Sequence, residues 1–171
     1  MTNHVHLLVT PELDDSLSKT MQTLGRRYVR YFNHNYKRTG TLFEGRFKSC
    51  LVEESAYFLT CLRYIELNPV RAGMVGDPSE YTWSSYRANA FGVQGRLWRP
   101  HAQYLALGQT DKERQIRYRA LFTNKVEGEL VTNIRECVNR GIAFGSDKFR
   151  RQIGELGGRR QYLMKRGPKS E

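Results

Sequence analysis

The chain has 171 residues, a span that fits one domain with an appendage. It contains no run of about 18 apolar residues and no basic start joined to an apolar segment, so the expectation is a cytoplasmic protein, neither secreted nor membrane-spanning. Lys and Arg number 28 against 17 Asp and Glu, and the net charge of +11 favours polyanionic partners; Cys50, Cys61 and Cys137 lie far apart without CxxC spacing and read as reduced, packed thiols.

The first stretch, "NHVHLLV" at residues 3–9, sets His4 and His6 two apart among aliphatics. As a strand it places His4 and His6 on one face about 6.8 Å apart, with Val5, Leu7 and Val9 on the other. Two imidazoles so arranged can hold a metal, although two histidines at this spacing, taken by themselves, more often bind none. Thr10-Pro11 turns the chain, and Asp14 or Asp15 caps a helix in which Leu17, Met21, Leu24, Tyr28, Tyr31 and Phe32 recur at helical spacing. Gly40 ends that helix, and Phe47 to Val52 reads as a second strand. Glu54 opens another helix with Phe58, Leu62 and Ile65 on one stripe and Tyr57, Cys61, Tyr64 and Asn68 on the next; Pro69 stops it. Residues 77–110 read as irregular and rich in aromatics. Helices are expected at 111–123, 127–139 and 146–156, punctuated by Gly141 and Gly145, and the last pair, joined by "GIAFGS", has the outline of a helix-turn-helix.

Between residues 26 and 48 the bases Arg26, Arg27, Arg30, Lys37, Arg38, Arg46 and Lys48 face one acid, Glu44, with Tyr28, Tyr31, Phe32, Tyr36, Phe43 and Phe47 interleaved. Such a surface neutralises phosphates and stacks on unpaired bases. The plainer alternative is a solvated face over a core of aromatics. Arg159, Arg160, Lys165, Arg166 and Lys169 repeat the charge in a tail read as disordered.

Tyr64 and Asn68 stand four apart, the spacing at which helical side chains meet. A phenol is a weak nucleophile at neutral pH, and a metal that polarises a phosphate lowers the barrier to its attack. Covalent transfer to tyrosine conserves the phosphodiester energy, so rejoining needs no nucleotide cofactor. Singly, each residue has an ordinary structural explanation: core for Tyr64, helix stop for Asn68.

"NHVHLLV", "GRRYVRYFNHNYKRTGTLFEGRFKSCLVE", "YIELNPVRAGMV" and "YTWSSYRAN", in that order, resemble the single-tyrosine HUH transposases, in particular the REP-associated tyrosine transposases of bacteria. The likeness runs from residue 1 to about 90. It implies an α+β, ferredoxin-like HUH fold, here N-terminally incomplete, with a helical extension at 91–158 and the basic tail at 159–171. It also implies metal ligation by His4, His6 and Asn68, and Tyr64 rather than Tyr57 as nucleophile. The reaction implied is cleavage of single-stranded, hairpin-bearing DNA through a 5′-phosphotyrosine intermediate, followed by strand transfer. The metal in use would be Mg²⁺ or Mn²⁺, with Zn²⁺ or Ni²⁺ accepted in vitro.

Relatives carry a strand, a helix and a strand before the histidine motif, whereas here Met1 lies three residues before His4. The expectation is therefore a start assigned too late, a gene remnant, or strands supplied by another protomer, with the protein a monomer or homodimer. The rival to an enzyme is a non-catalytic DNA-binding relative. An RNA-binding accessory protein fits the charge but leaves the histidines, Tyr64 and Asn68 unexplained.

Overall fold

The structure is a computed structural model that describes residues 1–95, 97–123, 128–158 and 161. Among these it forms α1 (Ser16–Asn35), α2 (Glu54–Glu66), α3 (Asn68–Arg71), a 3-10 turn at Pro78–Glu80, α4 (Tyr86–Phe91), α5 (Ala102–Leu105), α6 (Asp111–Ala120), α7 (Gly128–Arg140) and α8 (Asp147–Gly157).

No sheet forms among the described residues, which overturns the α+β, ferredoxin-like expectation. A helix satisfies its backbone internally, but a strand exists only beside a partner. Residues 4–9 have the two-residue spacing of their histidines without a partner strand: they make no backbone ladder bond among the described residues, and Val5 is 73% and Leu7 55% exposed. Of the second expected strand, only Val52 pairs, in an isolated parallel bridge to Phe144. The bridge is held by Phe144 N–H to the Leu51 carbonyl at 2.8 Å and Glu53 N–H to the Phe144 carbonyl at 2.9 Å.

The chain divides into two compact units, Leu8–Ser49 and the remainder with Met1–Leu7. The first unit is α1 and the loop after it. No residue of α1 is buried. The helix ends at Asn35, before the expected Gly40, because Lys37 takes a left-handed φ of 51°. Tyr36 N–H then bonds the Phe32 carbonyl at 3.0 Å and Arg38 N–H the Asn33 carbonyl at 2.9 Å. Phe32 packs on Tyr36 with ring centroids 4.4 Å apart, and Tyr28 lies 6.2 Å from Phe43.

The second unit holds the core. Tyr118 and Phe144 are almost wholly buried, with Tyr86, Tyr104, Ile134 and Cys137 around them. Tyr86 meets Phe122 edge to face at 4.7 Å, and Tyr104 meets Tyr118 at 5.5 Å. The three late helices keep closely to their expected bounds, held by caps that the sequence reading did not single out. Thr110 and Glu113 form a reciprocal capping box on α6, and the Ser146 hydroxyl accepts from Phe149 N–H to cap α8. Residues 77–110, expected to be irregular, instead carry α4 and α5. Their four to six residues are too few to display a helical period, and packing against α6 and α2 holds them.

Candidate active site

α2 brings Tyr64 to the site, and Pro69 sets the path of the chain beyond it. Lacking an N–H, Pro69 cannot bond the Ile65 carbonyl, so the helix breaks at Leu67. The chain does not stop there as expected. It restarts at once as α3, with Pro69 in a first turn that needs no N–H. Asn68 is thus kept near Tyr64, and Arg71 comes round one turn later. The Arg71 guanidinium donates to the Tyr64 carbonyl, donates to Asn68 Oδ1 at 3.0 Å, and lies 4.8 Å from the Tyr64 ring centroid.

His4, His6, Tyr64, Asn68, Arg71 and Arg135 line one pocket of about 330 Å³. His6 lies 5.9 Å from Tyr64, centroid to centroid, and 4.9 Å from His4 with the two imidazoles nearly perpendicular. Tyr64 and Asn68 are buried. Tyr57, the other tyrosine on α2, packs instead on Phe144 at 4.9 Å.

Two histidines bound to one ion at about 2.1 Å hold their ring centroids roughly 4.5–5.2 Å apart at octahedral to tetrahedral angles, so the His4–His6 separation fits a shared metal. His4 Nδ1 faces Asn3 Oδ1 at 2.8 Å. An amide oxygen there needs a proton on Nδ1, which leaves Nε2 as the free donor atom. Burial, then His4, the terminal amino group, Arg71 and Arg135 lower the His6 imidazole to about 4, so it is neutral at physiological pH, the state a metal requires. No group of three His, Cys, Asp or Glu side chains suited to a metal occurs among the described residues. A third protein donor would therefore be the Asn68 amide oxygen, which already accepts one bond from Arg71.

Glu66, between Tyr64 and Asn68 in sequence, points the other way and is 1% exposed. Its Oε1 accepts from the Ser85 hydroxyl at 2.7 Å and Asn89 Nδ2 at 2.9 Å; its Oε2 accepts from the Tyr118 hydroxyl at 2.6 Å. Burial pushes the carboxyl up to about 7, against the pull of these three bonds. At the other end of α2, Glu53 accepts from Ser146 N–H at 2.6 Å and from its hydroxyl at 3.2 Å. The helix that carries Tyr64 is therefore fastened at both ends.

Sequence reasoning missed three residues here. Arg71 has a legible signal, three residues after Asn68. Glu66 lies within the quoted "YIELNP" but on the opposite side of the helix. Arg135 has no local motif; it stands one turn after the buried Val131 on α7 and so borders the packed stripe. The expected nucleic-acid residues Arg26, Arg27, Arg30, Lys37, Arg38, Arg46 and Lys48 are all exposed, all in the unit of Leu8–Ser49, as are the rings of Tyr28, Tyr31, Tyr36, Phe43 and Phe47. Those aromatics do not form the core that the plainer alternative required. Arg159, Arg160 and most of the tail lie outside the described residues.

No helix among the described residues is long and apolar enough to cross a membrane. No curated protein and no solved structure matches the chain. Residues 1–68, which carry both histidines, Tyr64 and Asn68, match the family model described as "Transposase IS200 like", and this match supports the transposase family, a role in DNA transposition and, in general terms, a DNA-cleaving enzyme.

Proposed function

We propose that the protein is a metal-dependent tyrosine transposase that nicks and rejoins single-stranded, hairpin-bearing DNA, of the REP-associated type. The observation that carries the reading is the meeting of His4 and His6 with Tyr64 and Asn68 in one pocket, across about sixty residues of chain, inside the segment that matches the transposase model.

His4 and His6, with the Asn68 oxygen, would hold a divalent metal, Mg²⁺ or Mn²⁺ in use, which supplies polarisation of the scissile phosphate when bound. The Tyr64 phenol oxygen forms the new bond to phosphorus while the bond from phosphorus to the 3′ oxygen breaks. The phenol proton is given up to solvent and a proton is taken up on the leaving oxygen, giving a 5′-phosphotyrosine and a free 3′-hydroxyl. Attack by a 3′-hydroxyl reverses the step and rejoins the strand. Arg71, across the Tyr64 ring and bonded to its carbonyl, fixes where the phenol points. The exposed bases and rings from Arg26 to Lys48 hold the strand by its phosphates and unpaired bases.

The test is incubation with single-stranded hairpin DNA and Mn²⁺, then a denaturing gel. A covalent protein–DNA band that Tyr64→Phe removes supports the proposal. Selective DNA binding with no covalent band under any divalent metal would leave a non-catalytic DNA-binding protein.

A further inference from the structure

The pocket is lopsided in charge and in hydrogen bonding. Among its lining residues are two imidazoles and two guanidiniums, and none is acidic. Neither Arg71 nor Arg135 forms an ion pair among the described residues. The two bonds Arg71 makes to Tyr64 and Asn68 both use one terminal nitrogen, which orients the guanidinium and leaves Nε and the other terminal nitrogen to donate elsewhere. Asn68 is 5% exposed, and its Nδ2 is buried with no acceptor among the described residues. The uncommitted polar atoms of Arg71, Arg135 and Asn68 Nδ2 are all donors, and the buried one, Asn68 Nδ2, calls for an acceptor.

We propose that Arg71 and Arg135, with Asn68 Nδ2, form an anion subsite that seats a phosphate group of the DNA strand beside Tyr64. Its identification as a DNA phosphate rests on the function proposed above; its existence as an anion site does not. Arg135 belongs to α7, outside the segment that matches the transposase model, so the helical part of the chain supplies a substrate-binding residue. The planar fork of a guanidinium matches two phosphate oxygens at once, and two forks approaching from different helices fix the phosphate in orientation as well as position.

The experiment titrates inorganic phosphate into the full chain in EDTA at constant ionic strength, monitoring the ring ¹H–¹⁵N signals of His4 and His6 by NMR. The expected result is a saturable shift whose dissociation constant rises about tenfold in Arg135→Gln, a loss in the range of one charge-assisted pair. Arg140→Gln, on the same helix but not lining the pocket, should bind as the parent does. Arg135 is exposed, so its replacement does not endanger the fold. Unsaturable shifts, parent-like binding by Arg135→Gln, or equal weakening by Arg140→Gln would each overturn the subsite, the last by reducing it to net charge. Absence of the covalent DNA band together with Arg135-dependent phosphate binding would remove the cleavage reading and leave the subsite; the converse pattern would remove the subsite alone.

Discussion

Replacing Glu66 with Gln should change how stability depends on pH, and the structure gives both sign and size. In the unfolded chain the carboxyl titrates near 4.5, and in the fold near 7. Between those values the folded state holds a proton that the unfolded state has released, so this group's contribution falls as pH rises and is fully lost above 7. At about 1.4 kcal/mol per pH unit, the displacement corresponds to about 3 kcal/mol. His6 runs in the opposite sense: lowered from 6.5 to about 4, it contributes stability that is lost as pH falls through that window. The two nearly mask each other in the parent. His6 is common to both proteins, so the difference between Glu66→Gln and parent isolates Glu66. Urea unfolding at intervals from pH 4.5 to 8 should show the Glu66→Gln protein offset by a constant from its altered hydrogen bonds, then gaining on the parent by about 3 kcal/mol toward pH 8. Parallel curves would mean that the carboxyl titrates alike in both states, and the account of a desolvated carboxyl held by three donors would be wrong.

Tyr118→Phe removes the 2.6 Å donor to Glu66 Oε2 without opening a cavity, and should cost about 1.5–3 kcal/mol at pH 8, less at pH 5, by the same unfolding assay. Gly145→Ala should destabilise by about 1–3 kcal/mol, because the new methyl would sit 2.6 Å from Phe149 Cδ1 and 2.7 Å from Glu53 Cβ. On the proposed function, in which the basic residues of 26–48 contact the phosphates, His4→Ala and His6→Ala should each abolish metal-dependent DNA cleavage while changing DNA affinity little; equal loss of both would refute that division. Arg26, Arg27 and Arg30 changed together to Gln should flatten the dependence of log affinity on log salt by about 2 for single-stranded DNA, at roughly 0.7 per contact, measured by fluorescence anisotropy.

What the sequence disclosed depended on range. α1, α6, α7 and α8 are local structures, and α6 and α8 are capped within a single turn, Thr110 with Glu113 and Ser146 with Phe149; the expected aspartate cap of α1 fails, since Asp15 makes no side-chain bond there. The same local reading misassigned residues 4–9. The spacing of His4 and His6 specifies which side chains would share a face, but a strand depends on a neighbour whose presence no local pattern encodes. Tyr64, His4, His6 and Asn68 were picked out separately, and they do line one pocket. Arg135 was invisible because its place in the pocket depends on how α7 packs, and Glu66 because its donors lie 19 to 52 residues away.

Those distant donors bear on where this chain can be divided. The match to transposases ends at residue 68, two residues after Glu66. The groups that satisfy Glu66 come from Ser85, Asn89 and Tyr118, and those that satisfy Glu53 come from Ser146. Kinship and cooperativity thus draw different borders. In amide-exchange terms, α2 should open together with α4, α6 and the start of α8 as one foldon, so the helix that carries Tyr64 cannot loosen while the later helices stay intact. A recombination that grafted residues 1–68 onto a foreign partner would carry His4, His6, Tyr64 and Asn68 without the donors that satisfy Glu66, leaving a buried carboxyl bare near the end of the transplanted helix. The later helices are then the means by which the helix of Tyr64 is held in place.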